Sequence, residues 1–397
     1  MNLFAFELGR QKDLCFAELV AVLGEKSLFE RNLDTAIFRL DKVIPQELQD
    51  RLGGTIKIVE IFDEIDSGDK KQLHNDIEKS FTRCIKDEFT GSSGKIPFSV
   101  STLSFYNQRD IDIKRLLTSS KKTLKSLGLN SRFVNKNFRN TKPSTIYKAK
   151  VVQKGIDLNV IKGEKKIFLG KTIAVQDIDS YTKRDFDKPG RDAKVGMLPP
   201  KLAQIMINLA GPAKTIYDPF CGTGTVLTEG MLMGKNVIGS DIDERMVEYS
   251  RKNCDWLTKE FAAKLPRGSA ASRSAAPLHK IFKADARFLT KKDLPSPPDA
   301  VITEGYLGKP LTKFPSPEEA EKIFRELANL HVNWLTAMRK LSDSPIVMCT
   351  AAFKHDQKIV HLPRFEEIAK TAGYKIIKTF TYARPDHVVA RDIHILK

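Results

Sequence analysis

The stretch Asp218-Pro219-Phe220-Cys221-Gly222-Thr223-Gly224-Thr225 constrains this chain more than any other. An apolar, strand-like segment, Thr215–Tyr217, leads into it, and a helix-like segment, Gly224–Met233, leaves it. Two glycines between a strand and a helix let the backbone come close to a ligand, because no Cβ stands in the way. The next strand, Asn236–Ser240, runs into Asp241, nineteen residues after Gly222. A carboxylate at that place can accept both ribose hydroxyls of an adenosine-containing cofactor. Asp243 reads instead as the N-cap of a helix that opens at Glu244.

A dinucleotide and a methyl donor would both fit those features, and two details separate them. The loop lacks the third glycine of the G-x-G-x-x-G pattern, with Val226 near its place. Asp218 also opens the loop with a negative charge, which repels a pyrophosphate but suits an ammonium and a sulfonium. The expected cofactor is therefore S-adenosylmethionine, held by Asp218, Phe220, Gly222, Gly224, Thr225 and Asp241. Asp285, in Ala284-Asp285-Ala286, closes the third strand and can accept the adenine amino group; a capped or solvated turn is the plainer reading. The fourth strand, Ala300–Thr303, ends in Glu304-Gly305-Tyr306, on the edge where a methyl acceptor must be held.

From Lys201 onward, strands alternate with helices, which predicts a Rossmann-like, doubly wound parallel sheet. The front of the chain mixes strands (Asn2–Leu8, Ala36–Leu40, Gly54–Ile61, Pro97–Leu103) with helices (Asp13–Leu23, Gln46–Leu52, Leu73–Ile85, Ile111–Leu127), an α+β pattern. The expected division is a small α+β unit at 1–65, a second at 66–175, a linker at 176–198 and the doubly wound domain at 199–397. Residues 262–278, rich in Ala, Ser and Arg, read as a surface insertion.

Charge points to a partner. The chain of 397 residues has 66 Lys and Arg against 49 Asp and Glu, a net charge of +17. Residues 113–156 hold twelve basic residues and no acid. A run of one sign and this length costs free energy without counterions, so it predicts phosphate contacts to nucleic acid, carried by Lys121, Lys122, Arg132, Lys136, Arg139 and Lys142. Phe133, Phe138 and Tyr147 are interleaved with them, as core residues or as stacking surfaces for bases. The five cysteines are scattered without metal-ligand spacing, which predicts no zinc site and suits a reducing compartment. No stretch reaches the ~20 apolar residues of a membrane span, and no signal peptide fits the N-terminus, so the expected location is cytoplasmic, with no membrane partner.

Taken together, these motifs resemble the THUMP-domain tRNA guanine-N2 methyltransferases, class I enzymes that modify guanosine near the start of the tRNA D-arm. The resemblance rests on Phe6-Glu7-Leu8-Gly9-Arg10 with Ala17-Glu18-Leu19, and on Leu52-Gly53-Gly54-Thr55-Ile56-Lys57-Ile58, which look like the opening and closing of the family's ferredoxin-like unit. Met197-Leu198-Pro199-Pro200-Lys201-Leu202-Ala203 looks like its entry into the catalytic domain, and Asp218 to Thr225 like its cofactor loop. The resemblance implies a THUMP module in the basic middle, N2 of a guanosine near position 10 of tRNA as methyl acceptor, no metal and, as in some relatives, a small activator subunit. Its acceptor motif is Asp or Asn, two prolines and an aromatic residue. Glu304, Gly305 and Tyr306 depart from it: the acid is one methylene longer and a proline has become glycine. An exocyclic purine amine is a poor nucleophile, its lone pair being delocalised into the ring. A side-chain oxygen and a backbone carbonyl that accept its hydrogens localise that pair, while an aromatic ring stacks on the flipped base. Two other readings remain open at this stage. The cofactor loop is shared with DNA adenine and cytosine amino-methyltransferases, and the altered acceptor motif suits a non-catalytic RNA-binding protein with a methyltransferase-like fold.

Overall fold

The computed structural model describes residues 2–66, 68–107, 110–192, 197–265, 279–356, 358–385 and 387–397. Most of the expected surface insertion, 266–278, lies outside them, as do 193–196 of the expected linker. The chain divides into two compact units, Met1–Ser180 and Tyr181–Lys397.

In the first unit the strands are β1 (Asn2–Leu8), β2 (Leu28–Arg31), β3 (Thr35–Leu40), β4 (Thr55–Asp66), β5 (Lys95–Leu103), β6 (Asn130–Phe133), β7 (Ile156–Lys162) and β8 (Lys166–Val175). Among the described residues they form one sheet in the order β2-β3-β1-β4-β8-β7-β5-β6. The two α+β segments expected on either side of residue 65 therefore share a sheet. β4 joins them: it pairs antiparallel with β1 on one edge and with β8 on the other. Two apolar cores lie mainly on one segment each, while Ala5, Ile37 and Val59 meet Leu103, Ile161 and Phe168 in a cluster drawn from both. One of the two cores gathers Phe4, Phe6, Leu19, Phe38 and Ile58; the other gathers Phe81, Phe98, Leu116, Leu124 and Leu158. Across the middle of the sheet the buried Lys57 donates to Asp157 Oδ2 at 3.0 Å and Asn159 Oδ1 at 2.6 Å. Ser99, Ser101 and Thr172 donate to the same aspartate, so polar bonds link β4, β5, β7 and β8. Partners on four strands thus offset the cost of burying the Lys57 and Asp157 charges.

The motifs that resemble the opening and closing of the first segment meet directly. Glu18, fully buried in the Lys12–Leu23 helix, accepts the N–H of Gly53 at 2.9 Å and of Gly54 at 2.8 Å, just ahead of β4. A Cβ on Gly54 would lie 2.8 Å from Cys15 Sγ and 2.9 Å from Glu18 Oε2, so this close approach requires glycine.

Residues 178–186 form a helix, Ile178–Phe186, so the stretch expected as a linker is not extended there. Its first turn carries Asp179 and its last turn Lys183 and Arg184, charges that favour a short helix at those ends.

The second unit contains β9 (Thr215–Asp218), β10 (Asn236–Asp241), β11 (His279–Lys283), β12 (Ala300–Thr303), β13 (Ile346–His355), β14 (Lys358–His361), β15 (Ile376–Tyr382) and β16 (Val389–Leu396). Their order is β11-β10-β9-β12-β13-β16-β15, with β14 on β13. From β11 to β13 neighbours run parallel, as expected. The far side corrects that expectation: β16 is antiparallel to both β13 and β15. The strand order reverses at β9, which opens a crevice at the carboxyl ends of β9 and β12. The Pro317–Leu341 helix, started by a capping box between Ser316 and Glu319, buries Phe324, Leu327, Trp334 and Met338 against the sheet. Among the described residues no helix is long and apolar enough to cross a membrane.

Candidate functional site

Four loops leave the carboxyl edge of β9, β10, β11 and β12 and enclose a cavity of about 410 Å³. Asp218, Phe220, Gly222 and Thr225 line it from the first loop, Asp241 from the second, Asp285 from the third, and Glu304, Gly305 and Tyr306 from the fourth. Nine of the ten residues expected around cofactor and acceptor therefore face one space, in the size range of small-molecule sites.

The tenth, Gly224, does not line it. Its φ of +81° is left-handed, and a Cβ there would lie 2.8 Å from Ser250 Oγ and 3.2 Å from Ser250 Cα. Glycine is required at 224 for close packing on the Glu244–Glu260 helix, which corrects the expectation that it clears space for a ligand. Gly222 is different. Its φ is +52°, and a Cβ would meet nothing nearer than Phe220 O at 4.0 Å.

Asp241 holds this loop in place. Its Oδ2 accepts the N–H of Gly222 at 2.9 Å and its Oδ1 that of Asp243 at 3.0 Å, and burial raises its pKa. Asp243 caps the next helix as expected, accepting from the Arg245 N–H at 2.9 Å. Asp218 is almost wholly buried and accepts the Phe220 N–H at 3.0 Å; burial pushes its carboxyl up to about 7. A cation arriving beside it would be drawn to a group ready to ionise. Asp285 is gripped by Arg287, whose Nη2 donates to Oδ2 at 2.6 Å and whose Nε donates to Oδ1 at 3.0 Å. Those hydrogen bonds hold its pKa below the usual carboxylate value.

On the acceptor side, Gly305 takes a φ of +68° and donates its N–H to Thr303 Oγ1 at 3.0 Å. Proline is fixed near −65°, so the glycine marks a different backbone path and not a mere loss of stiffness. Tyr306 is 48% exposed, which leaves its ring accessible for stacking. Glu304 is half-buried, and the desolvation raises its pKa while Arg391 opposes the rise.

Reasoning from sequence missed Arg287, Arg391 and Lys188. Lys188 is buried and donates to Thr225 Oγ1 at 3.0 Å and Thr223 Oγ1 at 3.3 Å, which braces the glycine loop. Its neighbours Pro189 and Gly190 mark a turn and hide it; Gly190 exchanges hydrogen bonds with Asn253.

In the first unit Lys121, Lys122, Arg132, Lys136, Arg139 and Lys142 are all exposed, and among the described residues none forms an ion pair. Arg115, in the same run, is engaged by Glu78 and Asn75. The interleaved aromatics divide. Phe133 packs edge-on against Phe98 in the core, and the Tyr147 hydroxyl donates to Asp177 at 2.6 Å. Phe138, held at φ +53°, is 43% exposed with Lys114 over its ring. Among the described residues no group of three or more His, Cys, Asp or Glu is arranged to hold a metal ion.

Residues 189–270 match the UPF0020 family, described as RMKL-like, methyltransferase domain. The matched stretch holds the glycine loop and Asp241. The chain is 36% identical over 155 residues to a tRNA (guanine(10)-N2)-dimethyltransferase of Methanothermobacter thermautotrophicus, a match covering 38% of each chain. It is 33% identical over 140 residues to the protein of that name from Pyrococcus abyssi, covering 33% of this chain and 42% of the relative. The match thus spans less than half the length of these curated relatives. The crystal structure of TrmN from Thermus thermophilus superposes with a TM-score of 0.55 at 15% identity, covering 100% of this chain and 99% of that one. The likeness in fold thus extends well beyond the matched methyltransferase stretch.

Proposed function

We propose that this chain transfers a methyl group from S-adenosylmethionine to the exocyclic N2 of a guanosine in tRNA, near position 10. The observation that carries the reading is the single cavity in which acids on the β9 and β10 loops face Glu304 and Tyr306 on the β12 loop. The names of the relatives, tRNA (guanine(10)-N2)-dimethyltransferases, support the choice of nucleotide.

The residues fit the cofactor. Gly222 presents backbone with open space where its Cβ would be. Asp241, fixed by its two backbone hydrogen bonds, is the group to receive the ribose hydroxyls. Asp218 offers a carboxylate to the ammonium, and Asp285 an acceptor to the adenine amine. When bound, the cofactor supplies a methyl group on a sulfonium, whose sulfur leaves neutral.

The chain's own residues then act on the acceptor. Tyr306 stacks on the extruded base, which needs room to leave its stack. Glu304 accepts a hydrogen bond from the amine and directs its lone pair toward the methyl group. As the new N–C bond forms, the nitrogen gives up a proton to Glu304, which returns it to solvent. The exposed basic residues of the first unit hold the RNA through phosphates, without reading its sequence.

Incubating the protein with tritium-labelled cofactor and, in parallel, tRNA or duplex DNA, followed by mass spectrometry of the nucleosides, tests the reading. Label in N2-methylguanosine or its dimethyl form is expected. Label in DNA but not in RNA would replace it with the DNA amino-methyltransferase reading. Cofactor binding by calorimetry without transfer to any nucleic acid would overturn the catalytic claim.

A further inference from the structure

Glu304 does not stand alone at the acceptor edge. Arg391, on β16, donates through Nε to Glu304 Oε1 at 2.5 Å, and the two side chains are 10% and 17% exposed. β12 pairs with β13 and β13 with β16, where Arg391 lies opposite Ala351, so the guanidinium reaches across a whole strand to the carboxylate. Among the described residues no other hydrogen bond reaches Glu304, and Glu304 lines the cavity. One carboxylate oxygen is therefore engaged from behind, and the other is left for a ligand.

Arg391 also answers the question raised by the longer acid. A glutamate has one more rotatable bond than an aspartate and needs a fixed partner to hold one position. Guanidinium is suited to the task, being planar, always charged and able to stay so when buried. Three cations face Glu304, namely Arg391, Arg384 and Lys188. Asp218 and the Cys349 thiol face it as well. Of these charged groups only Arg391 touches it.

We propose that Arg391 is a positioning residue for methyl transfer, holding Glu304 as a carboxylate through Oε1 so that Oε2 is aimed at the acceptor amine. The proposal rests on the methyltransferase reading above. Its consequence has a definite sign. Removing the guanidinium lets burial raise the Glu304 pKa further, so the ionised form is lost at a higher pH as acid is added.

The test uses the full chain with tRNA, comparing wild type, Arg391→Met, Arg391→Lys, Glu304→Gln and the Arg391→Met/Glu304→Gln double variant. For Arg391→Met, kcat at pH 7 is expected to fall about tenfold or more, because the carboxylate loses its fixed position as well as part of its ionised population. The acidic limb of its kcat–pH profile moves upward, while KM for tRNA and the affinity for S-adenosylhomocysteine change by less than about twofold. Arg391→Lys returns the limb toward wild type. In the Glu304→Gln background Arg391→Met adds less than about a further twofold, because the two residues act as one unit. In the protein without cofactor, ¹³C NMR of the Glu304 carboxyl shows it titrating at higher pH once Arg391 is gone. If Arg391→Met fails to fold, Arg391→Lys and the charge-free double variant carry the comparison. An unshifted acidic limb in Arg391→Met, or a Glu304 that titrates at the same pH with and without Arg391, overturns the proposal and leaves the methyltransferase reading intact. If wild type labels no nucleic acid, that reading fails, and the NMR titration still decides whether Arg391 controls Glu304.

Discussion

At Gly224 an added methyl would crowd Ser250 and strain a backbone already at φ +81°, whereas at Gly222 it would project into open space from a φ of +52°. The two substitutions should therefore separate folding from binding. Gly224→Ala is expected to lower unfolding stability by about 2–4 kcal/mol, combining left-handed strain with overpacking. Gly222→Ala is expected to cost about 1–2 kcal/mol of stability from strain alone. It should also weaken S-adenosylmethionine binding, because the new methyl faces the cavity. Denaturant unfolding and calorimetry on both variants check this. A Gly222→Ala protein that binds the cofactor like wild type would remove Gly222 from the site. At this scale the sequence was informative wherever a role depended on local order. The loop glycines, Asp241 after its strand and Asp243 at its helix start could all be placed from neighbours in the chain. Arg391 could not, because its partner Glu304 is 87 residues away and is reached across a strand. Nor could the division between Gly222 and Gly224, since Ser250 lies on a helix whose packing no local pattern records.

Among the elements, the Lys12–Leu23 helix and β4 are tied by one carboxylate, since Glu18 alone accepts two N–H groups just ahead of the strand that joins both halves of the first sheet. Glu18→Ala would bury two unsatisfied donors, with an expected loss of about 2–4 kcal/mol. Both tryptophans, Trp256 and Trp334, lie in the second unit, so their fluorescence does not report on the first. Far-ultraviolet circular dichroism during urea unfolding should show an earlier transition in Glu18→Ala while the tryptophan transition stays near wild type. A tryptophan transition that moves by the same amount would mean that the two units unfold as one. The element map from sequence was good where glycines and caps mark the boundaries locally, as at Gly24, Gly224 and Asp243 around β1, β9, β10 and the helices beside them. It failed at β16, whose Arg391, Asp392 and His394 are polar yet buried in the middle of a sheet. Arg391 is satisfied by Glu304, Asp392 by His361 and Thr381, and His394 by Thr350 and Thr379, all partners distant in sequence. The Ile178–Phe186 helix was missed because only Tyr181 and Arg184 are buried on it, too few to mark an apolar stripe.

For the molecule as a whole, the net charge of +17 is distributed unevenly, with a run of 44 residues in the first unit that lacks any acid. Six of its basic side chains are exposed and, among the described residues, unpaired with acids, so RNA can displace the counterions condensed around its phosphates when it binds there. The logarithm of the affinity for tRNA should then fall linearly with the logarithm of salt concentration. Replacing Lys121, Lys122, Arg132 and Lys136 together by glutamine should flatten that slope by about 3–4, close to one for each phosphate no longer neutralised. At moderate salt the same variant should show a KM for tRNA raised at least about tenfold, with kcat at saturation and cofactor affinity close to wild type. That pattern is the reverse of the one expected for Arg391→Met, in which kcat falls and KM holds. The two variants thus assign separate duties to gripping the RNA and activating its amine. Filter binding across a salt series, with steady-state kinetics on the same preparations, measures both quantities. A quadruple variant with an unchanged salt slope would move the RNA surface away from the acid-free run, leaving the cavity and its acceptor edge as they stand.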